Sequence, residues 1–411
     1  MHLFELLGPI YGQRSAPRAW FKTLTKWLTG PECVDAAGAA GAAGGADVGD
    51  WSGGRGMGYI QARNDPCLFT HPVTGHQIVI WVDDLLCRGT IADSVDFYNK
   101  LGSRFDCKDP EFLDSGGSIC FTGIEIARRD LGGDDWYYMS LMSDLQEFLH
   151  DSGLIDCPEK PCPMPERSVI VRDDGMLSEG ESSWCRSVIS ALNYIARVYR
   201  WDIAHATSRV SSFMKQPVSG TVAALEYLGG YLVSSSDFRI AGRRIEGPDS
   251  YEVYVDSDHH GDSAISTRSH TGVTVLLNGT PVFWRSNKQK TGGPALSPAE
   301  AEIYAFSEGV RDARDIAWVL EEMGCDIVWP LQVKTDSSGA HSFQRDSCPK
   351  SKLRGCFDRR DDWVVELQDT DKIKSVKIDT EVNKANIHTK CLKNKDFNKE
   401  KKMIIDGQGK G

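Results

Sequence analysis

The stretch from Tyr251 to Asp258, reading Tyr-Glu-Val-Tyr-Val-Asp-Ser-Asp, constrains this chain more than any other. Successive side chains alternate across a strand, so Val253 and Val255 take one face and Glu252, Tyr254 and Asp256 the other, with Asp256 near the strand's end. Two later segments also place acids at element ends. Ser297-Pro-Ala-Glu-Ala-Glu opens a helix with Glu300 and Glu302, and Val333-Lys-Thr-Asp closes a strand on Asp336. Carboxylates gathered from separate elements repel one another unless cations lie between them, so Asp256, Glu302 and Asp336 together read as a divalent-metal site. Singly, each reads equally well as a solvated strand or helix end.

The helix that follows Ser297 separates the two glutamates by role. Ser297 with Glu300 three residues on is a capping box, and Ile303, Phe306, Val310, Ala313, Ala317 and Leu320 then form one apolar stripe. Glu300 is used on the cap. Glu302, in the first turn beside the stripe, leans toward the sheet and is the candidate ligand.

Earlier in the chain, Pro17 suits a first helical turn, and Trp20, Leu24, Trp27 and Leu28 recur at helical spacing until Gly30-Pro31 stops the run. Arg14 and Arg18 make that helix entrance basic, fit to meet phosphates or simply solvated. Residues 31–58, rich in Gly and Ala, bury too little apolar area to order themselves and read as a flexible insertion. The apolar runs on either side of Asp83-Asp84 predict a β-hairpin with both acids at its tip. Cys157 to Pro165, with four prolines, is a connector that cannot be helix. From Ser140 to about Leu232 the rest is mostly helical. There Arg197, Arg200, Arg209 and Lys215 read as the solvated face of amphipathic helices, and Lys393–Lys402 as a solvated Lys-rich end.

Charge and cysteine usage bound the class. The formal net charge of -11 excludes a protein that coats nucleic acid over its whole surface, so any such binding is local. The 12 cysteines include no C-x-x-C pair, and no His stands at metal-ligand spacing around them, which argues for reduced thiols and against structural zinc. No apolar run is long enough to span a bilayer, and the N-terminus lacks a signal-peptide pattern. A soluble intracellular protein, cytoplasmic or nuclear, with no membrane partner is expected.

Several motifs, taken in order, resemble the copia-type retrotransposon Pol polyprotein. Tyr11-Gly with Ala16-Pro-Arg-Ala-Trp20, Asp65-Pro-Cys-Leu-Phe69, Trp81-Val-Asp-Asp84 and Phe121-Thr-Gly-Ile-Glu-Ile126 are similar to the C-terminal half of its reverse transcriptase. Trp81 stands where that family usually has Tyr. Tyr254-Val-Asp-Ser-Asp258 with Gly261-Asp262, Thr267 to Gly272, Pro281 to Gln289, Leu296 to Glu302 and Thr335-Asp336 are similar to its ribonuclease H domain.

The resemblance implies an α+β or α/β chain: a partial reverse-transcriptase palm over 1–165, a helical thumb and connection over 166–245, a ribonuclease H-like domain over 246–395 and a Lys-rich tail over 396–411. The third of these implies a five-stranded mixed sheet with flanking helices and strands near 252–256, 270–277, 281–285, 331–335 and 373–379. It further implies Asp256, Glu302 and Asp336 as ligands to two Mg²⁺, or Mn²⁺, roughly 3.5–4 Å apart. Asp83 and Asp84 are the corresponding polymerase ligands. Arg14, Arg18, Gly123 and Arg268 are implied nucleic-acid contacts. The substrate is the RNA strand of an RNA–DNA hybrid, recognised by 2′-hydroxyls and groove shape; the remaining partner is the rest of the Pol polyprotein. Two departures stand out. The family's third polymerase aspartate comes from an upstream strand not found before Met1, so polymerase activity is expected to be lost. The family's closing Ala-Asp-Ile reads Ala385-Asn386-Ile387, so the fourth nuclease ligand is degenerate, and a catalytically silent remnant is the alternative reading. Asp379 and Glu381 are the nearby acids in sequence that could compensate.

Overall fold

The computed structural model describes residues 16–30, 56–114, 116–131, 134–165, 170, 175–243, 245–259, 268–290, 294–343 and 359–407. Arg14, the Gly261-Asp262 pair, the Lys352–Asp358 stretch and most of the Gly/Ala-rich insertion lie outside them. The chain divides into two compact units: residues up to Phe112 with Glu322–Gly324, and the remainder.

The first unit is a helix, a four-stranded antiparallel sheet and a second helix. Helix α1 (Ala16–Thr29) buries Leu24, Trp27 and Leu28 and leaves Arg18 exposed, as the spacing predicts. Strands β1 (Ile60–Gln61), β2 (Leu68–Thr70), β3 (Gln77–Trp81) and β4 (Asp84–Arg88) pair in chain order, and α2 (Ile91–Gly102) follows, capped by the Thr90 hydroxyl. The insertion ends earlier than composition suggests. Met57 and Tyr59 are buried among the aromatic side chains of α1 and α2, and Met57 N donates to Trp27 O at 3.0 Å. One buried Met and one buried Tyr recover enough apolar area to fix the backbone around them.

The second unit opens with β5 (Ser118–Phe121), β6 (Ile124–Leu131) and β7 (Asp134–Ser140), joined later by β8 (Ile240–Arg243) into an antiparallel sheet. Four helices intervene: α3 (Met142–Asp151), α4 (Glu179–Val198), α5 (Ala204–Ser211) and α6 (Ser219–Ser234). Ser178 and Glu181 close a capping box on α4, and Val188, Leu192 and Ile195 face the core at the expected 3.6-residue spacing. Arg197 and Lys215 are exposed. Arg200 and Arg209, by contrast, are buried at 0% and 5% exposure, where the helical pattern alone predicts a solvated face. Arg200 lies beyond the end of α4, inside the layer, where its guanidinium donates to Asp202 Oδ1 and Oδ2 at 2.8 and 2.9 Å and to Ser235 Oγ at 2.7 Å.

A five-stranded mixed sheet follows: β9 (Tyr251–Asp258), β10 (His270–Leu277), β11 (Thr280–Lys288), β12 (Leu331–Thr335) and β13 (Ile373–Lys377), in the order β11-β10-β9-β12-β13. These bounds match the expected strands closely. Strands β9 to β11 are antiparallel, with Asn278-Gly279 making the β10–β11 turn, and β12 runs parallel to both β9 and β13. Strand β9 is therefore central, and Tyr254 and Asp256 on its other face are buried along with Val253 and Val255. Helix α7 (Pro298–Glu322) lays its whole apolar stripe on the core. Helices α8 (Ser338–Phe343) and α9 (Arg359–Asp369) separate β12 from β13.

The Lys-rich end is a helix, α10 (Asn394–Gly407), and not a solvated tail. Phe397 and Ile404 are 3% and 0% exposed in the core of this unit. Burial of two such side chains contributes roughly 1.5–3 kcal/mol each, enough to dock a stretch whose other positions are mostly charged or polar.

Candidate active site

Asp256 enters the site near the end of β9, two residues before Asp258 and directly across from Gly272 of β10. A Cβ at Gly272 would come within 2.6 Å of Thr389 Cγ2 and 2.7 Å of Ala385 O. Only glycine lets the 385–389 segment lie on the strand there, and this brings the Thr389 hydroxyl to Asp256 Oδ2, to which it donates. From the same segment Asn383 Nδ2 donates to Asp336 Oδ1 and to Val255 O, both at 3.0 Å. Asp336 follows β12, whose Thr335 pairs with Val255.

Glu302 arrives on α7. Ser297 Oγ accepts from Glu300 N at 3.2 Å, and Glu300 Oε2 accepts from Leu296 N at 2.7 Å, so Glu300 is spent on the helix start as the capping pattern predicts. Glu302 instead turns inward, and its Oε2 is buried with no hydrogen-bond partner among the described residues. Burial, then Asp256 and Asp336, push its carboxyl up to about 9. Asp256 is lifted to about 6 by burial and, more weakly, by Asp336, against the pull of Lys390 and the Thr389 hydroxyl. The three acids thus share one electrostatic environment, although among the described residues no three His, Cys, Asp or Glu side chains are gathered tightly enough to hold a metal ion as they stand.

Asn386 is buried and its amide is taken up within the chain: Nδ2 donates to Thr380 O at 2.8 Å, and Oδ1 accepts from Lys390 Nζ at 3.4 Å. Asp379 and Glu381 are exposed, and Glu381 pairs with Lys399 at 3.2 Å. Four residues at the site escaped sequence reasoning in this role. Asn383, Thr389 and Lys390 flank Asn386 in the motif already noted. Glu400 of α10 is lifted to about 7 by burial, against Lys390, with Asp256 adding to the rise. Its signal was the Phe397, Glu400, Ile404 spacing hidden among lysines.

The other candidate residues stand elsewhere. Asp83 and Asp84 lie at the exposed end of the β3–β4 hairpin in the first unit, where Trp81 pairs with Asp84 and Val82 has φ 53°, as the hairpin expectation requires. Trp20 Nε1 donates to Val82 O at 3.0 Å, tying α1 to this tip. Gly123 is the second residue of the two-residue β5–β6 turn, both turn residues having positive φ. Arg268 is exposed and donates to Gln289 O at 3.4 Å.

No protein-family model matches the chain. It is 26% identical, over 82% of its length, to the retrovirus-related Pol polyprotein from transposon RE1 of Arabidopsis thaliana, and 24% identical, over 97%, to that from transposon TNT 1-94 of Nicotiana tabacum. It spans 20% and 28% of those two relatives' lengths. Over 31% of the chain it is 36% identical to 87% of secreted RxLR effector protein 161 of Plasmopara viticola. Over most of its length, the chain is a distant homologue of copia-type retrotransposon Pol polyproteins.

Proposed function

We infer that residues 246–395 of the second unit are a ribonuclease H-type domain that cleaves the RNA strand of RNA–DNA hybrids with a divalent cation, Mg²⁺ or Mn²⁺. The observation that carries this reading is Glu302: a half-buried carboxyl group whose Oε2 is buried and unpartnered among the described residues, electrostatically coupled to Asp256 and Asp336. A buried anion is costly unless a proton or a cation satisfies it. An all-oxygen donor set from one strand end, one helix turn and one loop suits a hard cation. Asp256, Glu302 and Asp336 would hold it. When bound, such a cation polarises a phosphodiester and activates water. The chain's own contribution is orientation. Thr389 fixes one Asp256 oxygen and Asn383 one Asp336 oxygen, while the central strand and the capped helix set the spacing.

Residues 1–165 we read as part of a reverse-transcriptase palm and 166–245 as a helical thumb and connection, with Asp83 and Asp84 as the palm's candidate carboxylates and Arg18 and the Gly123 turn as candidate nucleic-acid contacts. The domain bounds of 165 and 245 belong to the same reading. A second reading, a nuclease fold without activity, is favoured by Asn386, whose neutral amide is spent on Thr380 and Lys390.

The test is Mg²⁺- or Mn²⁺-dependent cleavage of a labelled RNA strand in a hybrid by the full chain, beside Asp256→Asn. Cleavage that disappears with Asp256→Asn supports the nuclease. Cleavage that persists places the activity elsewhere, and silence from the parent supports the inactive fold.

A further inference from the structure

With a net charge of -11, nucleic-acid contact requires a local concentration of cations, and the edge of the mixed sheet carries one. Tyr304, Glu308 and Arg311 fall at i, i+4 and i+7 on one face of α7. Beside that face, Arg285 and Lys288 of the edge strand β11, and Lys290 just beyond it, close a recess of about 220 Å³. The two carboxylates there hold the arginines in place. Asp312, 7% exposed, accepts from Arg285 Nη2 at 2.7 Å and lies 3.8 Å from Arg311, and Glu308 lies 3.5 Å from Arg311. Four cations against two carboxylates leave a formal charge of two positive. A guanidinium has five donors, so one edge held by a carboxylate leaves others for a ligand, and both arginines keep access to solvent. The exposed Asn287 amide adds a neutral donor.

The register sets this recess beside the candidate carboxylates. Gly272 pairs with Asp256 on one side and with Ser286 on the other, so the β11 backbone at Ser286 lies two strand spacings, about 10 Å, from that at Asp256. We propose that the β11–α7 recess binds phosphate groups of a nucleic-acid strand whose neighbouring part reaches Asp256, Glu302 and Asp336. This rests on the nuclease reading above. Pre-positioned guanidinium forks and lysines match phosphate oxygens, and the position next to the carboxylates favours a nucleic-acid backbone over an acidic peptide.

The test is binding of a fluorescein-labelled RNA–DNA hybrid to the full chain in EDTA, over a salt series, so that neither cleavage nor a divalent cation enters. Lys288→Gln with Lys290→Gln is expected to weaken binding about tenfold or more and to shallow the slope of log affinity against log salt by about 2. Lys372→Gln with Lys374→Gln removes the same charge at the opposite sheet edge and should leave affinity and slope near the parent's. Lys288→Arg with Lys290→Arg should keep both. Parent-like values in the first pair overturn this inference and leave the nuclease reading standing. A parent that binds no hybrid also overturns it, while the cleavage assay decides the nuclease reading separately. Equal weakening by the two Gln pairs assigns the effect to net charge and overturns the recess. Poly-glutamate that displaces the label as well as unlabelled hybrid does overturns the choice of nucleic acid. Thermal melts check folding; should the first pair melt early, Lys290→Gln alone is read, with a slope change of about 1 expected, and an unchanged slope overturns the inference.

Discussion

Arg200 grips Asp202 with two parallel hydrogen bonds, Nε to Oδ1 and Nη2 to Oδ2, and neither side chain is exposed to water. Tyr231 Oη donates to the same Asp202 at 2.6 Å, and Arg200 also donates to Ser235 O. One ion pair therefore ties the α4–α5 junction to α6. Arg200 holds the Asp202 carboxyl well below the ordinary carboxylate range despite its burial.

Removing one partner leaves the other charged, buried and uncompensated. Asp202→Ala is expected to destabilise the second unit by about 3–5 kcal/mol, read as a lowered urea midpoint. Arg200→Met combined with Asp202→Leu is expected to cost much less, because no fully buried charge is left and only the partly exposed Lys401 loses its contact with Asp202. A double variant as unstable as Asp202→Ala would contradict this account.

Alongside His205 and His388, whose imidazoles burial also holds down, His270 carries part of the acid sensitivity. Burial, then Lys288, Arg209 and His388, hold its imidazole down from 6.5 to about 3, while Ser286 Oγ lies 2.8 Å from Nε2. The unfolded chain takes up the proton first, so the stability this residue contributes is full above pH 6.5 and is lost as pH falls toward 3. Relative to His270→Asn, the parent should lose up to about 1.4 kcal/mol per pH unit across that window. Urea melts at pH 7, 6 and 5 measure it; a constant difference between the two proteins would refute it.

Gly272→Ala pushes a methyl group into Thr389, Ala385 and His388. An overpacking cost of about 1–3 kcal/mol is expected, together with faster amide hydrogen exchange across 383–390. Unaltered exchange there would show that the segment does not need the glycine.

Glu302→Gln should stabilise the metal-free protein, by about 1–3 kcal/mol, because an amide needs no counter-charge in a buried position. The same change should abolish divalent-cation binding. A destabilised variant would mean that the Glu302 carboxylate is satisfied in the folded chain by groups other than a cation.

Local physics was legible in the residues. The Ser297 cap, the α7 stripe, the β9 alternation and the hairpin that exposes Asp83 and Asp84 follow from periodicity and turn chemistry that act over a few residues, while the full set of five strands in the mixed sheet is what the family resemblance implies. Periodicity failed where a polar side chain's fate depends on a distant partner. Arg200 looks like a solvated helix residue until Ser235 and Tyr231 are brought against the Arg200–Asp202 pair. The Lys-rich end looks disordered until the core accepts Phe397 and Ile404.

The sequence by itself determined which acids stand at element ends, because strand and helix periods are properties of the local backbone. Only the tertiary structure decided that Glu302 Oε2 is buried where the carboxyl feels Asp256 and Asp336, that Asn386 is spent on Thr380 and Lys390, and that Glu400 Oε2 is buried although its helix is Lys-rich. Burial and charge coupling arise between elements far apart in the chain, and no short window of residues contains both members of such a pair.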